Sequence, residues 1–278
     1  MKTLLKFVFC LGLLMTNRQT GIAGDTFYIN YQNRVPENAL RHYKECILGA
    51  TVENDLRSLP KDHVYYGYLS LVEVASDADY MDDIRALHIP VMAKNRVWNS
   101  DLVDIRNKKW KRFILQRVRW LVDKGFNGVF FDTVESIDQL ESKHKKRHQG
   151  EFRKAGIDIL RAVRKDFPEL KLILNRGFSI LEETKTIADG VLVESFSESY
   201  DYRTKTFRPV SKREQQWLLE KLEPFIKSGN DVYIIDFCDP TNKDAIRNST
   251  KNAGQHHFKV VQTSPDLTGK IHGPVKME

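Results

Sequence analysis

The sequence predicts an α/β protein, a single-domain (β/α)8 TIM barrel, on three observations. Apolar runs of four to seven residues, rich in Val, Ile, Phe and Tyr, alternate with longer segments of helical period. Eight such runs can be read along the chain. The stretch beyond residue 24 has about 254 residues, close to the ~250 typical of a closed barrel. An open doubly wound sheet fits less well, because its first turn is rich in glycine and the first turn here, Tyr31-Gln-Asn-Arg-Val-Pro36, has none.

The elements follow in order. Lys2 and Lys6 precede the apolar stretch Phe7 to Met15, and the small residues Gly21-Ile22-Ala23-Gly24 come next. That layout predicts a signal peptide over 1–24, cleaved near Ala23 or Gly24. Its apolar stretch is too short for a bilayer span, which needs ~20 residues. The expected product is exported, periplasmic or secreted, monomeric and without stable membrane insertion. Loss of Lys2, Lys6 and Arg18 lowers the formal charge from +7 to about +4, so charge does not impose nucleic-acid binding and none is expected. Cys46 and Cys238 remain after Cys10 is removed, as either one disulfide or two buried thiols.

The barrel domain is expected over 25–265, with 266–278 as a C-terminal tail. Its strands read TFYINY (26–31), VYYGYLSL (64–71), IPVMAK (89–94), GVFFD (128–132), KLILN (171–175), GVLVES (190–195), DVYIIDF (231–237) and HFKVVQT (257–263). Between them, 108–124 carries an apolar stripe at helical spacing through Trp110, Phe113, Ile114, Val118, Leu121 and Val122, with Gly125 as its stop. A second helix spans 152–167. A third spans 211–228, opening with a capping box, Ser211 to Glu214, and turning Leu218, Leu222, Phe225 and Ile226 inward.

In such barrels the active site forms at the C-terminal strand ends. Here those ends are Tyr31, Glu73, Lys94 with Asn95, Asp132, Asn175 with Arg176, Glu194, Asp236 with Asp239, and Thr263. Acids stand at four of the eight, although the chain is net basic. Each has a structural alternative. Asp132 is a good helix N-cap, whereas Glu194 precedes Ser195, a more natural one. Glu73 and Asp236 sit between apolar neighbours, as buried paired acids or as substrate ligands. Asn175 and Arg176 suit a donor set that keeps acids ionised. Glu135 reads as an acid of the loop or rim.

A pair of carboxylates is what glycoside hydrolysis requires, one to protonate the leaving oxygen and one to attack the anomeric carbon or activate water. No HxxxH, HExxH or DxD set lies at a strand end, so no metal or other cofactor is expected, an oxygen-only calcium or magnesium site being the alternative. A GxSxG elbow for serine chemistry is missing.

Five blocks in order, YYGYLSLVEV (65–74), DIRNKKW (104–110), GFNGVFFDTVES (125–136), LILNRGF (172–178) and GVLVESF (190–196), resemble the endo-α-1,4-polygalactosaminidase family of glycoside hydrolases. They are similar as well to the hydrolase domain of the bacterial Pel polysaccharide-processing proteins. The resemblance covers roughly residues 26–265. It implies a (β/α)8 barrel that cleaves α-1,4-linked galactosamine-rich polymers of biofilm matrix, with Asp132 and Glu194 as the catalytic pair. Tyr31, Tyr68, Glu73, Asn95, Asn175, Arg176 and Asp236 are the expected substrate-binding residues. Val72 stands where the family often has glycine, which bears on the shape of the nearest subsite.

The partner implied is a partly deacetylated amino-sugar polysaccharide, whose ammonium groups an acidic mouth would concentrate. Asp132 is assigned as nucleophile and Glu194 as general acid/base, an exchange of roles being open. Tyr31, Tyr68, Trp98 and Phe196 are either sugar-stacking or core aromatics. One alternative is a non-catalytic polysaccharide-binding barrel that retains polymer during export. Another is binding of anionic surfaces through KHKKRH (143–148), although like-charge runs of this kind are more often just solvated charged loops.

Overall fold

The computed structural model describes residues 26–144 and 148–273. The expected signal peptide and the centre of the KHKKRH segment lie outside them. The chain opens with β1 (Tyr28–Asn30), α1 (Glu37–His42), β2 (Glu45–Leu48) and β3 (Val64–Ser70). A small antiparallel sheet follows, made of β4 (Glu73–Ala75), β5 (Val91–Asn95) and β6 (Ser100–Val103), with α2 (Met81–Leu87) inside it. Helix α3 (Lys108–Lys124) leads back to β7 (Gly128–Asp132). Helices α4 (Ser136–His144) and α5 (Glu151–Asp166) precede β8 (Lys171–Asn175), and α6 (Leu181–Thr184) precedes β9 (Gly190–Glu194). The antiparallel hairpin β10 (Glu198–Asp201) and β11 (Thr206–Pro209) comes next. Then come α7 (Lys212–Ser228), β12 (Asp231–Phe237), α8 (Lys243–Gln255) and β13 (Lys259–Thr263).

Eight parallel strands form one sheet in the order β1-β2-β3-β7-β8-β9-β12-β13, a nearly closed TIM barrel. Its seam is stitched at both ends. At the bottom, Thr26 Oγ1 donates to the Val260 carbonyl at 2.8 Å. At the top, Thr268 bridges to Asn30, Ile271 bridges to Thr263, and Tyr31 N–H donates to the Leu267 carbonyl. Residues 267–271, expected as part of a free tail, thus span the gap between the first and last strands.

Two strand expectations are corrected. ECIL (45–48) is the second barrel strand, passed over because it is short and opens on a charge. The run at 89–94 is no barrel strand; β5 pairs only with β6 in the inserted sheet. The local apolar pattern of an inserted strand resembles that of a barrel strand, and pairing partners decide between them. The helices match more closely. Asn107 caps α3 through its side chain, and Gly125 ends it at φ 103°, a left-handed backbone that favours glycine. The Ser211–Glu214 capping box is formed in both directions. Ile226, expected on the inner face of α7, is instead 41% exposed.

Side chains alternate across the barrel wall. Ile29, Tyr66, Phe130, Ile173, Leu192, Tyr233, Ile235 and Phe237 fill the interior. Val129, Phe131, Leu172, Leu174, Val191 and Val193 face the helical layer. At the bottom of the barrel Lys259 Nζ donates to Glu45 (2.6 Å), Asp231 (2.9 Å) and the Tyr233 hydroxyl (3.3 Å). This satisfied network closes the end opposite the mouth. Cys46 and Cys238 are buried free thiols.

Candidate active site

Alternation carries inward facing to the top of three neighbouring strands. Asp132 lies two residues beyond Phe130, Asn175 two beyond Ile173 and Glu194 two beyond Leu192, each partner being an interior residue. The next residue in each strand is left-handed: Thr133 at φ 59°, Arg176 at 54° and Ser195 at 67°. A non-glycine residue there is strained by about 1–2 kcal/mol, and a β-branched threonine is the least suited to it. Thr133 is held by its own hydroxyl, which lies 2.8 Å from Ser70 Oγ and accepts from Val72 N–H at 3.1 Å. Arg176 and Ser195 keep backbone bonds to the neighbouring strands, at 2.9 Å to Leu192 and 2.7 Å to Ile235. The three turns swing the chain outward just after each side chain, leaving it in the mouth.

The side chains form one cluster. Asp132 Oδ2 accepts from the Tyr68 hydroxyl at 2.7 Å, and Oδ1 accepts from Asn175 Nδ2 at 2.7 Å. The same Asn175 nitrogen donates to Glu194 Oε1 at 3.3 Å. Both partners are carboxylate oxygens, so the amide nitrogen must face them. Two bonds of 2.7 and 3.3 Å from one nitrogen hold the nearest carboxyl oxygens within about 6 Å of each other. Arg176 donates to the Glu194 carbonyl at 3.0 Å. Tyr31 meets Tyr68 edge-on, with centroids 5.3 Å apart, and completes the wall.

Burial and then the charge of Asp132 push the Glu194 carboxyl above its ordinary range; Arg176 and Asn175 oppose this. Burial, followed by Asp132 and Glu194, likewise raises Tyr31 well above the usual phenol. Glu135 keeps an exposed face at the rim. Its carboxyl is nonetheless pushed up to about 7, first by desolvation and then by Asp132, with Glu194 adding to the shift, Arg176 opposing it and the exposed face screening part of it. Ionised Glu135 is a like charge for Glu194 and favours its protonated form. Glu135→Gln removes that charge, so with Glu194 as the proton donor the alkaline limb of kcat/KM is expected to move to lower pH. Rates measured from pH 5 to 9 check this, and an unmoved limb would show that the rim charge does not reach Glu194.

Three of the expected substrate ligands are placed elsewhere. Asp236 has the opposite parity to Ile235 and Phe237, so it faces the helical layer with no exposure. It accepts from the N–H groups of Phe196 (2.8 Å), Ser197 (2.8 Å) and Glu198 (3.2 Å) and from Ser249 Oγ (2.7 Å). Glu73, 4% exposed, belongs to the inserted sheet and accepts from Ser100, Ser136 and Asn95. Asn95 spends its amide on Glu73 and its carbonyl on the N–H groups of Val97 and Trp98. Phe196 is core, packed edge-on against the stacked rings of His256 and Phe258. Val72 is fully buried beneath Thr133 and offers no side chain to a subsite. Strand parity around Asp236 was the available signal; for Glu73 and Asn95 there was none, because they depend on an unforeseen sheet.

A surface cavity of about 540 Å³ opens at the other end of the barrel, between Arg164, Lys171, Asp189 and Asn230. Asp189 is already paired with Arg164 at 2.6 Å and Lys171 at 3.0 Å, so that site holds no free acid pair. Among the described residues no group of three or more His, Cys, Asp or Glu is arranged around a common metal position, and no helix is long and apolar enough to cross a membrane.

The family model described as glycoside-hydrolase family GH114 matches residues 48–275. No curated protein sequence matches the chain significantly. Among solved structures, the chain is similar to the glycoside hydrolase domain of PelA from Pseudomonas aeruginosa, at 24% identity and a TM-score of 0.76, covering 87% of this chain and 96% of that one. It is similar also to Ega3 of Aspergillus fumigatus, solved in complex with galactosamine, at 13% identity and a TM-score of 0.65, covering 94% of this chain and 99% of that one. These two likenesses bear on the fold.

Proposed function

The chain belongs to glycoside-hydrolase family GH114, and on that premise we propose that it is an exported endo-acting hydrolase of α-1,4-linked, partly deacetylated galactosamine polysaccharide, working with retention through Asp132 and Glu194. The observation that carries the mechanism is the shared Asn175 bridge. It holds the nearest carboxyl oxygens within about 6 Å, short of the ~6.5–9.5 Å that inverting enzymes need and nearer the ~5–5.5 Å of retaining ones.

The roles follow from the surroundings. Two donors, Tyr68 and Asn175, hold and orient both carboxylate oxygens of Asp132, as suits a nucleophile. Burial and the neighbouring charge of Asp132 push the Glu194 carboxyl upward, the direction that suits a general acid. Asp132 attacks the anomeric carbon while Glu194 passes its proton to the glycosidic oxygen, the bond to the leaving sugar breaks, and a glycosyl ester forms on Asp132. Glu194, now ionised, takes a proton from water; the water oxygen attacks the same carbon and the ester bond breaks. Two inversions restore the original anomer.

The substrate assignment is supported by the galactosamine complex of the similar Ega3 fold and by the three acids, Asp132, Glu135 and Glu194, gathered at the mouth. An ammonium-bearing polymer suits that field. Export is supported by the charge and apolar pattern of residues 1–24. The mature protein, incubated with galactosamine-rich polymer and with chitosan, is expected to release new reducing ends from the first alone. Proton NMR during the first turnovers is expected to show the α-anomer. Release of the β-anomer would overturn retention, and no reducing ends from either polymer would overturn the hydrolase assignment to amino sugars.

A further inference from the structure

The two insertions at the mouth are built alike. The β5–β6 hairpin enters after the third barrel strand and carries Trp98 near its tip, 61% exposed. The β10–β11 hairpin enters after the sixth and carries Tyr202, 46% exposed. In the sheet order, β7 and β8 lie between these entry points, and these strands end in Asp132 and Asn175. The two aromatic side chains nevertheless meet, with ring centroids 5.4 Å apart and planes at 81°.

Each hairpin is braced from below by a buried acid. Glu73 receives Ser100 of β6, Ser136 of α4 and Asn95 of β5, and Asn95 in turn holds the Trp98 N–H. Asp236 receives three successive N–H groups at the start of the other hairpin. Tyr202 also leans on Tyr200 and Phe237, at 5.1 and 6.5 Å between centroids. Fully satisfied buried carboxylates make loops rigid, so the right-angled corner between the two rings is formed in advance of any ligand. Tyr202 lies near enough to Glu194 for that charge, after burial, to raise its phenol, and Trp98 rests on Tyr202, so two exposed aromatics stand beside the acid pair rather than in the core, as a carbohydrate face requires.

We propose that Trp98 and Tyr202 form an aromatic clamp that takes one sugar ring of the polymer next to Asp132 and Glu194. One ring stacks on the apolar C–H face of the pyranose and the other bounds its edge. An amino sugar adds attraction, because its ammonium gains from the π-face of tryptophan. Glu73, Asn95 and Asp236 are then positioning residues for the clamp. The inference rests on the hydrolase reading above.

The test uses the Asp132→Asn protein, so that sugars bind without being cleaved, with Trp98→Ala, Trp98→Phe or Tyr202→Ala added. Galactosamine oligosaccharides and neutral α-linked glucose oligosaccharides of equal length are titrated by calorimetry, and thermal melting checks the fold. Trp98→Ala and Tyr202→Ala are each expected to weaken binding of the galactosamine oligosaccharide roughly 5- to 20-fold, and Trp98→Phe to restore most of the loss. Unchanged affinity in both alanine variants overturns the clamp and leaves the substrate reading standing. Binding of the neutral sugar alone, still dependent on Trp98, supports the clamp and overturns the substrate reading. If neither sugar binds before the clamp is altered, the clamp falls.

Discussion

Asp132→Asn is expected to lower turnover of the galactosamine polymer by at least roughly 10⁴-fold, the scale of losing a nucleophile, while leaving the melting temperature almost unchanged. The amide has the shape of the carboxylate but carries no charge to attack the anomeric carbon. Its carbonyl oxygen can keep the bond from Asn175, and the Tyr68 hydroxyl can rotate from donating to accepting at the other position. Folding is therefore separable from chemistry at this site. Residual activity within tenfold of the native protein would remove Asp132 from the mechanism and leave Glu194 paired with some other group.

Glu194→Gln is the second large effect, and it differs in kind. Loss of the general acid is expected to cost roughly 10²–10⁴-fold on the polymer, whose sugar leaving group needs a proton. A substrate with an activated aryl leaving group needs none, so its first step should be nearly spared and the glycosyl ester on Asp132 should accumulate. Mass spectrometry of the denatured protein reads that adduct directly. In Glu194→Ala, azide can enter and attack the ester without a general base, giving a glycosyl azide of the same anomeric configuration as the substrate. An azide of opposite configuration, or equal losses on both kinds of substrate, would reverse or discard the assignment of roles.

The two substitutions test a pair of carboxylates set apart by their surroundings. Asp132 is met by two donors, Tyr68 and Asn175. Glu194 has one longer bond, from Asn175, and burial pushes its carboxyl upward. Such divergence between neighbouring carboxyls is the condition for running acid and nucleophile side by side. Asn175 couples them, and the strained turns at Thr133, Arg176 and Ser195 are the backbone cost of presenting all three side chains to one point.

How much of this was legible in the sequence can be judged residue by residue. Asp132 and Glu194 stood out because each ends an apolar run, and strand ends are a local property of composition and period. The helix at 108–124 was legible for the same reason, with its stripe and glycine stop close together in the chain. Asp236 and Glu73 looked equivalent to the pair, since they too interrupt apolar runs. The structure turns Asp236 into the helical layer and assigns Glu73 to a separate sheet, where both brace hairpins.

The sequence alone therefore determined that this is a barrel of βα units and that Asp132 and Glu194 end two of its strands, because alternation and helical period are written within windows of a few residues. Tertiary structure alone decided which acids face the interior, that ECIL is a barrel strand, that 267–271 stitch the seam, and that Trp98 and Tyr202 touch. Each of these depends on register and pairing between segments far apart in the chain. No local window carries that information, since a shift of one residue sends a side chain to the opposite face of the sheet.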